Sequence, residues 1–447
     1  MKNWITIAFV FILGVINAQT NPAITSWMQN TTIKARHYVA GNSTPINDSS
    51  PVNCQAVQYN TTDVYVTTTG LPSYVTGPFL DGNPSIATNQ NAIFRIPLNP
   101  VPNTGTPVNT TGGNIGIFIN GVALFDYRDG VAWNNTTQSL CGGPGNSPCP
   151  GGMGATQNWN RDAIPAEKKG FDCSKAHPAM GNYHHHQNPS AFNLDLVVIS
   201  TICNLYNADG LYAIDSAVHS PLIGYAYDGF PIYGAYGYQN ADGSGPIVRI
   251  KSSYSLNSGN TRTLGPDVSN TYPLGYFRED YHYTATSAGT PDYLDEHNGR
   301  FCLTPEYPSG IYCYFATVDA NWNSTYPYVV GPTFYGTRNA AKVTSVPSGT
   351  TTYSSTAGND KINLQATQVK VFPSPTNDLI IIQLIDINKE NLKVELFDMT
   401  GRLVETTSLL QGSTIAYFDV QTLYSGQYLV KISNKNSVII QKIVVTK

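Results

Sequence analysis

The chain reads as mainly β: a large disulfide-containing β-rich domain followed by a small antiparallel β-sandwich. Three observations predict this. Charged residues make up only 12% of the chain, while 29 tyrosines, 39 glycines and 29 prolines stand beside many Thr and Asn. Aromatic and β-branched side chains fit a pleated sheet, and Gly and Pro punctuate it with turns. Apolar runs of strand length are bounded by turn dipeptides such as Asn120-Gly121 and Asp228-Gly229, the strongest short-range hairpin signal. Finally, the Ser/Thr/Gly-rich stretch 344–360 divides two compositions: beyond it Lys, Ile, Leu and Val rise, and Cys, His and Trp disappear. A length of 447 residues also exceeds what one core ordinarily serves.

Taken in order, residues 1–18 have the layout of a secretory signal peptide. Lys2 is followed by an apolar run from Trp4 to Ile16 and a cleavage point after Ala18. Gln19 rather than Cys follows the cut, which argues against a lipid anchor. No later run approaches the ~18 apolar residues of a membrane helix, so the mature chain is expected to be exported and soluble. Residues 19–53 are polar and read as an N-terminal arm or edge segment. The net charge of −4 comes without a basic cluster, which excludes a nucleic-acid partner as the expected one.

Residues 54–340 read as one β-rich domain. Val64-Tyr65-Val66 and Ile115-Gly116-Ile117-Phe118-Ile119 are strands, with Asn120-Gly121 turning the second towards Val122-Ala123-Leu124-Phe125. The run 194–202 is a buried strand or a short core helix, and Asp228-Gly229 turns a second hairpin. Seven cysteines in an oxidising compartment are expected to pair, the odd count leaving at least one free or intermolecular. Cys141 with Cys149, and Cys302 with Cys313 across a hairpin, are the local candidates. No CxxC spacing suggests a zinc finger. Residues 341–364 read as a linker, and 365–447 as the sandwich, its short strands separated by turns.

The segment Gly181-Asn182-Tyr183-His184-His185-His186-Gln187 carries the chemistry. On a strand, His184 and His186 share one face, about 7 Å apart, and His185 points to the other. Two imidazoles on one face are half of a metal site for zinc or copper. His177, across a Gly-containing turn, and His219, opening a proline-fixed extended segment, are the candidate further ligands. Asp228 or Asp295, with Glu296 beside it, could complete an oxygen-activating or hydrolytic centre; Asp295 to Arg300 reads equally as a capped turn. The competing explanation of the triplet is a buried network of imidazoles and tyrosine hydroxyls. Residues 305–315, ending Gly310-Ile311-Tyr312-Cys313-Tyr314-Phe315, form a weak internal echo of 177–186.

Two family resemblances rest on quoted residues. Val371-Phe372-Pro373-Ser374-Pro375-Thr376-Asn377-Asp378, Leu396-Phe397-Asp398-Met399-Thr400-Gly401-Arg402 and Ser425-Gly426-Gln427-Tyr428-Leu429-Val430 resemble the C-terminal sorting domain of type IX secretion substrates, with Ser374 where Asn is usual. That resemblance implies the type IX machinery as partner and a secreted or cell-surface location. Gly181-x-Tyr183-His184-His185-His186, the stretch from His219 to Gly234, and Leu294-Asp295-Glu296-His297-Asn298-Gly299-Arg300 resemble the YHYH-domain family, with His185 in place of the second tyrosine. The family adds no defined activity. Three functions stay open: a metal-binding module, a metal-dependent extracellular enzyme using the same histidines, and an adhesion or glycan-binding protein.

Overall fold

The computed structural model describes residues 21–30, 32–42, 44–79, 86–152, 157–189, 211–212, 214–286, 290–338, 341–354, 368–385, 391–410, 413–434 and 437–447. The expected signal peptide, the run 194–202 and Cys203 lie outside the described residues. The rest is β-rich, as its composition dictates, with helices confined to single turns such as Ala163–Glu167.

The centre is an eight-stranded sheet made of β1 (Asn114–Phe118), β2 (Ala123–Phe125), β3 (Ala176–Ala179), β4 (Asn182–His185), β5 (Leu222–Ala226), β6 (Pro231–Tyr233), β7 (Gly299–Cys302) and β8 (Ile311–Phe315). Its spatial order is β3-β4-β2-β1-β5-β6-β8-β7. The two halves of that order trace the same path. Each starts with a hairpin, β1–β2 turned at Asn120-Gly121 or β5–β6 turned at Asp228-Gly229. Each then adds a second hairpin, β3–β4 or β7–β8, whose last strand runs parallel to the last strand of the first.

The halves meet at the antiparallel pair β1–β5, where Gly116 faces Ala226 and Phe118 faces Gly224 around Ile117–Tyr225. Glycine is required at both equivalent positions. A Cβ on Gly116 would lie 2.8 Å from the Tyr225 carbonyl oxygen, and one on Gly224 2.6 Å from that of Ile117. The turns before the outer hairpins also repeat. The Asp172 carboxylate accepts from the backbone N–H of Ser174 and Ala176 and from the Tyr183 hydroxyl at 2.8 Å. Asp295 accepts from His297 and Gly299 and from the Tyr312 hydroxyl, also at 2.8 Å. The echo between 177–186 and 305–315 is therefore a repeat of topology, in which β4 and β8 are equivalent strands.

Two expectations about the ends of this region are corrected. The N-terminal segment is not a loose arm: Trp27 and Met28 are buried in the main core, and Met28 exchanges backbone bonds with Ile119 and Cys54. The expected linker is structured in its first part. Ala341–Val343 pairs with Ala92–Pro97 and Thr351–Tyr353 with Cys54–Tyr59, closing the two edges of a five-stranded sheet. Unpaired edges attract strands whatever their composition, and Thr-rich segments have the β propensity to supply them.

The C-terminal region has its own core, built from Ile380, Ile382, Val394, Leu396, Phe418, Val430, Ile432 and Ile443. A three-stranded and a four-stranded antiparallel sheet supply these side chains at alternating positions, the pattern of two sheets packed face to face.

Candidate metal centre

Three of the predicted ligands come together. β3 and β4 pair so that His177 lies directly opposite His184, which brings Cβ atoms to about 5 Å. His186 follows the last residue of β4, and there the chain leaves the strand. Its ring tilts back, so that its Nε2 lies 3.0 Å from the Nε2 of His184. The ligand atoms of His177, His184 and His186 all lie within 4.8 Å of one another, the only such group of three or more metal-ligating residues found among the described residues. All three are buried, at 7%, 1% and 4% exposure. Phe125 stacks on the His184 ring at 3.8 Å, and Phe171 packs against His177 and His186.

The outer atoms fix the tautomers. His184 Nδ1 lies 2.8 Å from the Asn182 carbonyl oxygen, and His186 Nδ1 lies 2.7 Å from that of Asp126. A carbonyl only accepts, so each Nδ1 carries the proton and donates it. The Nε2 atoms then face each other with lone pairs. Burial, followed by the neighbouring His186 and His177, holds the His184 imidazole well below its ordinary pKa, which keeps it neutral. Two lone pairs 3.0 Å apart repel unless a proton or a metal cation lies between them. Orientation of a ligating imidazole by a carbonyl on its far nitrogen is the usual support of metal sites.

A fourth group, unmarked by any sequence motif, points at the same space. Glu167 ends the helical turn Ala163–Glu167, whose start is capped by the Asp162 carboxylate accepting from the Ile164 N–H at 2.8 Å. Its Oε2 lies 3.2 Å from His177 Nε2 and 3.4 Å from His186 Nε2. These are ion-pair distances without hydrogen-bond geometry, and the atom is buried with no donor. Nothing local marks Glu167: the segment from Arg161 to Lys175 carries seven charged residues, and Glu167 stands beside Lys168 and Lys169.

Residues 93–327, more than half of the chain, match the family described as YHYH protein. The chain belongs to that family. Residues 370–446 match the secretion system C-terminal sorting domain, so the chain also carries the tail of a type IX secretion substrate. No curated protein matches the sequence. Within the YHYH domain, the departure from the name-giving tetrapeptide falls on His185. That ring lies on the opposite face, with its Nε2 3.1 Å from the Tyr74 hydroxyl and Phe118 against its edge. Burial pushes its pKa down to about 3. The change leaves the cluster intact.

The remaining candidates lie elsewhere. His219 is not brought to the cluster: it precedes β5, which β2 and β1 separate from β4. Its Nδ1 donates to the Ser220 carbonyl at 2.7 Å, and its ring packs on Tyr233 and Tyr238. Asp228 and Asp295 belong to the other half of the sheet. Asp228 Oδ2 accepts from the Tyr314 hydroxyl at 2.5 Å and from the Gly336 N–H at 2.8 Å. Asp295 holds the turn described above, and the Glu296 side chain is 54% exposed. None of the three faces the histidines.

Cys141 and Cys149 form a disulfide, closing the Gly/Pro-rich loop, and Cys173 is also disulfide-bonded. Cys302 and Cys313 are not joined: both are buried free thiols. The hairpin is present, but its register sets Cys302 opposite Ile311 and Cys313 opposite Arg300. Diagonal positions are spaced more widely than a disulfide spans, and the Cys313 thiol donates to the Ile311 carbonyl instead.

Proposed function

We propose that this chain is an exported YHYH protein that binds a transition metal, zinc or copper, through His177, His184 and His186, and that its tail delivers it through the type IX route to the cell surface or the medium. The observation that carries the reading is the meeting of unprotonated Nε2 atoms whose Nδ1 partners are backbone carbonyls. Imidazole nitrogen is a ligand for both metals. The reading as an enzyme drawing on Asp228 or Asp295 loses its support, because those carboxylates are spent on turns and tyrosine hydroxyls on the far half of the sheet. Elemental analysis of the purified protein beside a His184→Ala/His186→Ala variant tests the proposal. One bound metal per chain, lost in the variant, supports it; equal metal content in the two proteins overturns it.

A further inference from the structure

Glu167 borders the three-histidine group: its Oε2 approaches His177 and His186, while the residue stands outside the set of ligand atoms that all lie within 4.8 Å of one another. For a tetrahedral zinc with bonds of about 2.0–2.1 Å, neighbouring ligand atoms stand about 3.3–3.4 Å apart. The distances here are 3.0 Å between His184 and His186 Nε2, 3.2 Å from Glu167 Oε2 to His177 Nε2, and 3.4 Å from Glu167 Oε2 to His186 Nε2. The carboxylate oxygen is buried without a donor, a state that costs free energy unless a cation compensates it. The Glu167 side chain is 24% exposed, against 8% and 4% for those of His177 and His186, so the carboxylate stands between the histidines and solvent.

We propose that Glu167 is the fourth ligand of the metal and closes the site, so that the ion ties the helical turn Ala163–Glu167 to β3 and β4 instead of offering an open position to a substrate. This rests on the three-histidine reading and deepens it. A site with four protein ligands is structural in character, whereas a catalytic zinc keeps a position for water. The repeated half of the sheet shows what stands in the absence of these ligands. At the register positions of His177, His184 and His186 it has Arg300, Cys313 and Phe315. The Arg300 guanidinium lies over the Phe315 ring at 5.5 Å and donates to the carbonyls of Gln239, Pro291 and Tyr238. There a cation carried by the protein itself ties β7 to neighbouring segments, the task assigned to the metal in the first half.

The test is cobalt(II) titration of the full-length, metal-stripped protein, followed by visible absorption, with Glu167→Gln and Glu167→Ala beside it. The wild type is expected to give the intense d–d bands of a four-coordinate ion. In both variants the bands should weaken as water enters the coordination sphere, with affinity lower by roughly 10–100-fold or more. Wild-type spectra and affinity retained in both variants would overturn Glu167 as ligand while leaving the histidine site standing. A pale six-coordinate spectrum in the wild type would overturn the closed site without recourse to any variant. No cobalt uptake by the wild type at all would remove the histidine reading and this one together.

Discussion

Stripping the metal should lower the unfolding temperature of the YHYH domain and leave that of the C-terminal sandwich where it is. At the proposed site the ion would join three segments, the helical turn of Glu167, β3 and β4, that otherwise meet only through packing and the β3–β4 ladder. An ion that binds only the folded state stabilises it by about 2.7 kcal/mol when its free concentration is about 100 times Kd. A domain of this size shifts by about 2–4 °C per kcal/mol, so the transition should move by roughly 5–11 °C between chelated and zinc-loaded protein. The chain contains its own control. All five tryptophans, and all eight histidines, precede residue 365, and the sandwich has a separate hydrophobic core. Tryptophan fluorescence therefore follows the YHYH domain alone, while calorimetry follows both. His184→Ala should abolish the metal-dependent shift. A fluorescence transition that stays within about 1 °C across chelator and saturating zinc would rule out a metal tie within the YHYH domain, as would an equal shift of both transitions.

Other outcomes follow from the same geometry. His219→Ala should keep the full metal complement, because the ring serves packing against Tyr233 and Tyr238, and should cost about 1–3 kcal/mol of stability; loss of the metal in elemental analysis would return His219 to the site. Burial pushes the Asp228 carboxyl up to about 6. Its folded pKa thus exceeds the unfolded value of about 3.9, and the folded state holds the extra proton between the two. The contribution is fully present below about pH 4 and is lost as pH rises through about 6, amounting to about 3 kcal/mol at most. Comparing denaturant unfolding of Asp228→Asn and wild type from pH 4 to 7 should show a flatter profile for the variant; parallel profiles would contradict the assignment. Deleting residues 370–446 should leave the protein in the periplasm on fractionation and immunoblotting, and undiminished surface or medium delivery would dismiss the sorting role.

The part of this molecule governed by local rules was legible in the sequence. Asn120-Gly121 and Asp228-Gly229 each close a hairpin of the central sheet, and period two placed His184 and His186 on one face with His185 on the other. The alternating apolar positions of the tail became a separate core. What depends on register or on distant contacts was not legible. Cys302 and Cys313 sit on the expected hairpin, yet a two-residue offset makes them diagonal. His219 was expected at the cluster because its segment is extended, but strand order, which no local signal encodes, places β2 and β1 between. Glu167 comes within 3.2 Å of His177 only because a capped helical turn folds over the sheet, and no metal-ligand spacing announces it. The Thr-rich stretch after residue 340 reads as a linker by composition and becomes two edge strands because the five-stranded sheet has open edges to satisfy.

X-ray absorption at the metal edge of the zinc-loaded, full-length protein reads the identity of the ligands themselves. The first shell is expected to hold four nitrogen and oxygen atoms at about 2.0–2.1 Å, with the outer scattering of three imidazoles. A sulfur shell at about 2.3 Å, which would move the metal to the thiols of Cys54, Cys302 or Cys313, or a shell without imidazole scattering, would contradict it.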